Sequence, residues 1–349
     1  MNKIFGAFLF PETWMKWKKD EALEFMEALQ EMGINTIFTE TTVYRDDLIE
    51  WSHNVGIKWF GGISCFSDHT NDNRLLIDYP ELWPVGEDGL LREKMEWYLG
   101  VTPTFEEYNS SRIKLAEEIV GSHNLDGFML DFIRWPIHWE LELRPGARKP
   151  LQYSFDPHTT ELFLQESGII LPDGLRSPES KAKWILEECP QAWISFRCKV
   201  ITDFVEQITA RLRNIRSTPL SLGLYCLPMP LKDLEVVAGQ NIPQLVRHVD
   251  YIAPMTYHAI LHRPIDWVRE TIDEMSTVAK TKLLPVLQVD SAEGLELGAD
   301  WGPPIPVEEW EELVKLMNRD SNGLVFFTGT SLFRDNRGKV LKTNINLAT

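Results

Sequence analysis

Cysteine is scarce in this chain. Four occur in 349 residues, Cys65, Cys189, Cys198 and Cys226, with no C-x-x-C spacing. They read as packed, reduced thiols rather than a disulfide framework or a thiolate metal site. There is also no run of 18 apolar residues, so no membrane span is expected. The start, Met1-Asn2-Lys3 followed by an apolar segment ending at Pro11 and Glu12, lacks the long apolar region and small-residue cleavage site of a signal peptide, and a cytoplasmic location is expected. Basic residues are outnumbered 35 to 52, a net charge of −17, which argues against a nucleic-acid partner, because phosphate backbones are bound by clustered Lys and Arg. The eight histidines are dispersed, without H-x-H on the first strand or H-E-x-x-H anywhere, and Asp68-His69 is the only suggestive pair. A metal-dependent hydrolase is therefore the weaker rival, and no metal or cofactor is expected. A phosphate-binding loop is disfavoured too, since Gly294 and Gly298 sit beside Glu293 with no basic partner.

Eight apolar runs of strand length are present: Ile4–Phe10, Ile34–Glu40, Lys58–Cys65, Gly127–Ile133, Leu220–Leu227, Tyr251–His258, Leu283–Asp290 and Gly323–Gly329. Most are separated by segments with apolar residues at helical spacing, such as Leu23, Met26, Ala28 and Leu29 before Gly33, or Ile201, Phe204, Val205 and Ile208 before Leu212. Strands alternating with helices predict an α/β fold, one (β/α)8 TIM barrel spanning residues 1–349, with catalytic groups at the C-terminal strand ends. The length beyond the roughly 250 residues of a bare barrel falls in two insertions, about 66–105 after the third strand and 134–189 after the fourth. Loops that long inside a compact fold are usually functional, and both are expected to roof the barrel mouth.

The fourth run ends Asp131-Phe132-Ile133-Arg134-Trp135-Pro136. A carboxylate at the end of an apolar strand is costly unless paired or chemically employed, so Asp131 is the leading catalytic candidate, against the alternative of a structural ion pair with an arginine. Asp126, which opens that strand, reads as a turn cap. Tyr257 and His258 end the sixth run, Gln288 and Asp290 share a face at the end of the seventh, Glu40 ends the second, and Glu12 follows the first. Together these acids form a ring around one barrel mouth. Tryptophan is abundant, 13 residues, and Trp83, Trp97, Trp135, Trp139 and Trp301 lie in loops rather than at helical core spacing. Flat indole faces beside carboxylates suit sugar rings, so a carbohydrate is the expected partner; oligomeric state is not legible.

The ordered segments Tyr79-Pro-Glu-Leu-Trp83, Asp88-Gly89, Asn124 to Pro136, Tyr153-Ser-Phe-Asp-Pro157, Trp193-Ile-Ser-Phe-Arg197 and Asp250 to Tyr257 resemble the glycoside-hydrolase-like barrel proteins of bacteria. A more distant likeness is to the family-18 chitinases, whose fourth strand reads D-G-x-D-x-D-x-E and whose sixth carries M-x-Y. On that pattern Asp126, Gly127, Asp131, Met255 and Tyr257 match, but Met129 stands at the first inner Asp and Ile133 at the acid Glu. The resemblance thus implies a glycoside hydrolase without implying chitinase activity. Glycosidic cleavage generally uses two carboxyl groups, separated by about 5–5.5 Å for retention or 6.5–9.5 Å for inversion. Asp131 is the first. Asp290 or Glu40 is the expected second, with Tyr257 bonding the nucleophile or the sugar, Arg134 holding a nearby acid ionised, and Trp83, Trp135, Trp139, Trp301, His258, Gln288 and Glu12 lining the substrate site. The alternative in a different class is a carbohydrate-binding barrel that has lost catalysis, motivated by Ile133.

Overall fold

In a computed structural model, which describes residues 3–68, 74–317 and 323–345, eight strands close into one barrel. They are β1 (Ile4–Phe8), β2 (Thr36–Phe38), β3 (Lys58–Ser64), β4 (Gly127–Asp131), β5 (Ser221–Cys226), β6 (Tyr251–Thr256), β7 (Val286–Gln288) and β8 (Gly323–Phe327). Every neighbouring pair is parallel, in the order β1-β8-β7-β6-β5-β4-β3-β2 with β2 returning to β1. The expected (β/α)8 fold is the observed one. Parallel strands are covered on both faces, which is why the strands read as near-continuous apolar runs; β1 is buried along its whole length, and β4 is buried until Asp131 reaches solvent at its end.

Helices α1 (Lys19–Glu31), α2 (Asp46–Asn54), α3 (Glu106–Ser122), α4 (Pro190–Arg213), α5 (Leu231–Ala238), α6 (Ile265–Ala279), α7 (Val307–Met317) and α8 (Arg337–Ile345) each follow the strand of the same number. Helical periodicity decides their inner faces: α1 buries Ala22, Met26 and Leu29, and α4 buries Ile201, Phe204, Val205, Ile208 and Leu212. At Gly33 the backbone takes φ +93°, a left-handed turn open to glycine at little cost, and α1 stops there. None of the described helices is long and apolar enough to cross a membrane.

The long connections after β3 and β4 lie against each other at the mouth. Ser67–Asp68 pairs antiparallel with Leu99–Gly100, and Gly100 lies so close to Pro136 that a Cβ there would stand 2.5 Å from the proline Cβ. Tyr98 joins the two, its hydroxyl accepting from the Ile137 amide at 3.1 Å while its ring stacks on Phe132. At the opposite end of the barrel Asp126 accepts from the Trp59 amide at 2.9 Å and pairs with His53 at 2.8 Å. It fastens the start of β4, far from the mouth, as its place before Gly127 suggests.

Candidate active site

Strand register explains how two acids from non-adjacent strands meet. In β3, Phe60 packs on Phe38 of β2 and, across the barrel, on Tyr251 of β6, so Phe60, Gly62 and Ser64 face inward. The β2 ladder continues past Phe38, with the Thr39 amide donating to the Phe60 carbonyl and the Thr41 amide to that of Gly62. Alternation from Phe38 therefore turns Glu40 inward beside Gly62. On the other side β4 pairs Gly62 with Met129 and Ser64 with Asp131. From the strands on either side of β3 the carboxyls of Glu40 and Asp131 come together and share a hydrogen bond. A Cβ at Gly62 would stand 2.7 Å from the Met129 carbonyl oxygen.

Both acids remain part-exposed at the mouth, yet protein encloses most of each carboxyl. Burial pushes Glu40 well above the usual carboxylate range; the charge of Asp131 and the bond they share push it further, and Arg134 opposes. Burial raises Asp131 as well, countered first by Arg134 and then by hydrogen bonds from Glu40 and the Phe132 amide. That amide donates to Asp131 Oδ1 at 2.6 Å, and Phe132 sits at φ +50°, so the chain turns sharply as soon as it has delivered the acid. Two carboxyls this close hold one proton between them.

Arg134 is buried beneath this pair, stacked on Phe132 and Tyr98 at 4.5 and 5.6 Å, with the N–H groups of Nε and Nη2 lacking hydrogen-bond partners. Tyr225 at the end of β5 and Tyr257 just beyond β6 complete the floor. Burial raises both phenols well above their ordinary value; Asp131 and Glu40 add to it at Tyr225, and Tyr225, Asp131 and Glu140 at Tyr257. Both hydroxyls therefore stay protonated and are available as donors. Tyr257 also stacks on Phe327 at 4.6 Å and contacts Trp139 at 5.6 Å, and Phe327 continues to Phe10 and Trp301, forming an aromatic wall on one side of the mouth. Among the described residues no three His, Cys, Asp or Glu side chains converge as a metal centre; His69 lies outside the described residues.

A family profile described as "Putative glycosyl hydrolase domain" matches residues 18–275, which carry β2 through β6 and with them Glu40, Asp131, Arg134, Tyr225 and Tyr257. The chain belongs to this glycosyl hydrolase domain family. Among solved structures, the glycoside hydrolase domain of PgaB (BpsB) from Bordetella bronchiseptica superposes with a TM-score of 0.69 at 11% identity, over 99% of each chain. The catalytic domain of β-amylase from Paenibacillus polymyxa gives 0.64 at 10% over 99% of this chain and 98% of that one, and a chitinase from Chromobacterium violaceum gives 0.55 at 11% over 99% of both. Likeness at such identities is likeness of fold. No curated protein matches in sequence.

Within this glycosyl hydrolase domain, the side chains expected at the site divide into two groups. Asp131, Glu40, Arg134 and Tyr257 assemble at the mouth, with Trp139 and Trp301 packed into its aromatic wall, 1% and 9% exposed. Asp290 does not join Asp131. It is buried, 3.6 Å from Arg337, and accepts from the Ser291 amide at 2.8 Å, so its charge is met by a structural partner. Trp135 is a correction of the same kind: it is fully buried between Trp193 and Phe196, beneath Arg197, and its Nε1 donates to the Arg197 carbonyl. An indole held by core packing on every side offers no face to a ligand.

The remaining polar candidates are likewise engaged. His258 is buried against Glu309 at 2.9 Å; Gln288 accepts from the Ile260 amide and donates to the Trp301 carbonyl. Trp83 donates to the Arg92 carbonyl, and Glu12 stands exposed on the short turn Pro11–Trp14. Sequence reading missed Tyr225 and Glu140. The signal for the first was available, since Tyr225 alternates with Gly223, whose Cβ position lies 2.6 Å from Met129 Sδ in the barrel interior. Glu140 sits on a four-residue helix, Trp139–Glu142, too short to have a periodic signature.

Proposed function

We propose that this chain hydrolyses O-glycosidic bonds of an oligo- or polysaccharide at the C-terminal face of the barrel, with the Glu40–Asp131 pair as proton donor to the departing oxygen. The single observation that carries this reading is the pair itself: two inward carboxyls in hydrogen-bond contact at the mouth of a barrel belonging to a glycosyl hydrolase domain family, both with raised proton affinity. A proton held by such a pair is retained at a pH where an isolated carboxyl would have lost it, which is what general acid catalysis at a glycosidic oxygen needs. As the C–O bond lengthens and the proton leaves, the Asp131–Glu40 pair goes from one negative charge to two, and the Arg134 guanidinium stabilises the added charge. The hydroxyls of Tyr225 and Tyr257 donate to sugar oxygens, while the wall of Phe10, Phe327 and Trp301 accepts the apolar face of a ring.

A carbohydrate-binding barrel without turnover is the second reading. It is favoured by Ile133, fully buried where the chitinase-like pattern has its acid. One substitution separates the two. Asp131→Asn, assayed against a panel of oligo- and polysaccharides by mass detection of products, is expected to lower turnover about 10²–10⁴-fold while leaving the melting transition and glycan binding in place. Turnover unaltered in this variant would remove Asp131 from the chemistry; binding without any turnover in the unsubstituted protein would establish the second reading.

A further inference from the structure

Two carboxyls that share a hydrogen bond are too close to stand on opposite sides of a scissile bond, which takes about 5–5.5 Å or 6.5–9.5 Å between the two groups. On the hydrolase reading above, Glu40 and Asp131 therefore act as one unit on the leaving-group side, and the attacking side needs a carboxylate of its own. The nearby acids are mostly committed. Asp290 is held by Arg337, Glu309 faces His258, and Glu293 accepts from the hydroxyls of Thr328 and Thr330.

Glu140 differs from these in having a buried carboxylate oxygen that makes no hydrogen bond, although His138 stands beside it. The helix Trp139–Glu142 is laid over the mouth by the contact of Trp139 with Tyr257. Glu140 keeps only 16% of its side chain exposed, and its Oε2 is buried without a hydrogen-bond partner, 3.3 Å from Nδ1 of His138. His138, 1% exposed, lies between Glu140 and Glu96 of the first long connection, with Nε2 3.7 Å from Glu96, so residues from both connections after β3 and β4 fix its place. The charge of Glu140 reaches both Asp131 and Tyr257. A buried carboxylate oxygen with an unused acceptor site is costly unless something else fills it.

We propose that Glu140 is the attack-side catalytic carboxylate, and that the water it holds is the nucleophile. In the step, the water oxygen bonds to the anomeric carbon as Glu140 takes the water proton. The C–O bond to the departing sugar breaks with its electron pair on the oxygen, which receives the proton of the Glu40–Asp131 pair. Glu140 ends protonated and the pair one proton poorer, and exchange of one proton through solvent restores both.

The test uses the full-length protein on 4-nitrophenyl glycosides of several sugars and on polysaccharides, with Asp131→Asn beside it. Glu140→Gln and Glu140→Ala are expected to lose about 10²–10⁴-fold in turnover with the melting transition retained. With sodium azide, Glu140→Ala is expected to regain activity and release a glycosyl azide, because azide needs no base; Glu140→Asp is expected to regain part of the loss and keep the pH profile. A residue with a purely structural role would yield no azide adduct. Turnover in Glu140→Ala within threefold of the parent, or a loss that azide leaves unchanged with no adduct formed, overturns the Glu140 assignment and leaves the Asp131 reading standing. If the parent protein turns over nothing on the panel, the hydrolase reading fails and this assignment with it.

Discussion

Glu40 is held against its own charge. Burial, the neighbouring Asp131 charge and their shared hydrogen bond all favour its protonated form, and Arg134 offsets only part of this. The folded state thus binds this proton more tightly than the unfolded chain, where a Glu titrates near pH 4.3, roughly. Its contribution to stability is full below that value and is lost as pH rises through the folded pKa, because there the native state must give up a proton it favours. Glu40→Gln keeps the shape and one hydrogen bond of the protonated acid. It is expected to abolish turnover while raising the melting temperature by about 2 °C or more, with the gap over the parent widening from acid to neutral pH; calorimetry at several pH values checks both sign and slope. A melting temperature that falls equally at every pH would mean that Glu40 is ionised and well paired. At this scale Asp131 was readable, since an acid ending an apolar strand is visible in one dimension. Its choice of Glu40 over Asp290 was not, because both acids end strands and only three-dimensional register says which one a guanidinium already holds.

Among the elements, β3 decides whether the site exists. It stands between the two strands that lead to the acids, and its inward Gly62 lies against the Met129 backbone of β4. Gly62→Ala puts a Cβ 2.7 Å from a backbone oxygen that cannot swing away. Overpacking of this kind costs about 1–3 kcal/mol, and the shift it forces on the β4 backbone at Met129 moves Asp131, two residues on, relative to Glu40. The expected result in denaturant unfolding is a midpoint lowered accordingly, with turnover reduced far beyond what the lost stability explains at a temperature where the variant is folded. A Gly62→Ala protein with parental activity would show that the site tolerates a shift of β4. The element scale also explains the misreading of Trp135. Its position directly after Asp131-Phe-Ile-Arg suggested a sugar platform, but the left-handed turn at Phe132 redirects the chain, the Trp135 amide bonds to the Ala238 carbonyl, and the indole is packed behind the barrel wall. A one-residue change of backbone hand is invisible in an apolar pattern.

Across the whole molecule, the last quarter of the barrel is tied together by one buried arginine. Arg337, at the start of α8, donates to the carbonyls of Val289 and Ile305 and lies 3.6 Å from the buried Asp290. The last helix, the end of β7 and the loop before α7 thus share one guanidinium. Removing one member of a buried pair leaves a charge uncompensated, which costs about 3–5 kcal/mol. Arg337→Met is expected to lower unfolding free energy by that amount, and adding Asp290→Asn to recover part of it, the coupling being read from a double-mutant cycle. If Asp290→Asn alone abolished turnover without loss of stability, Asp290 would instead belong to the chemistry.

The amino-acid order by itself determined the eight strands, the helices between them and the acid at the fourth strand end, because burial on both faces of a parallel barrel writes near-continuous apolar runs and a lone carboxylate interrupts them visibly. The partner of that acid was decided only in the tertiary structure. Barrel closure brings Glu40 across Gly62 to Asp131, ties Asp290 to Arg337, turns Trp135 into the core and carries Glu140 over the mouth. Each of these depends on register and on chain reversals between residues tens to hundreds of positions apart, and local pattern contains no information about such distances.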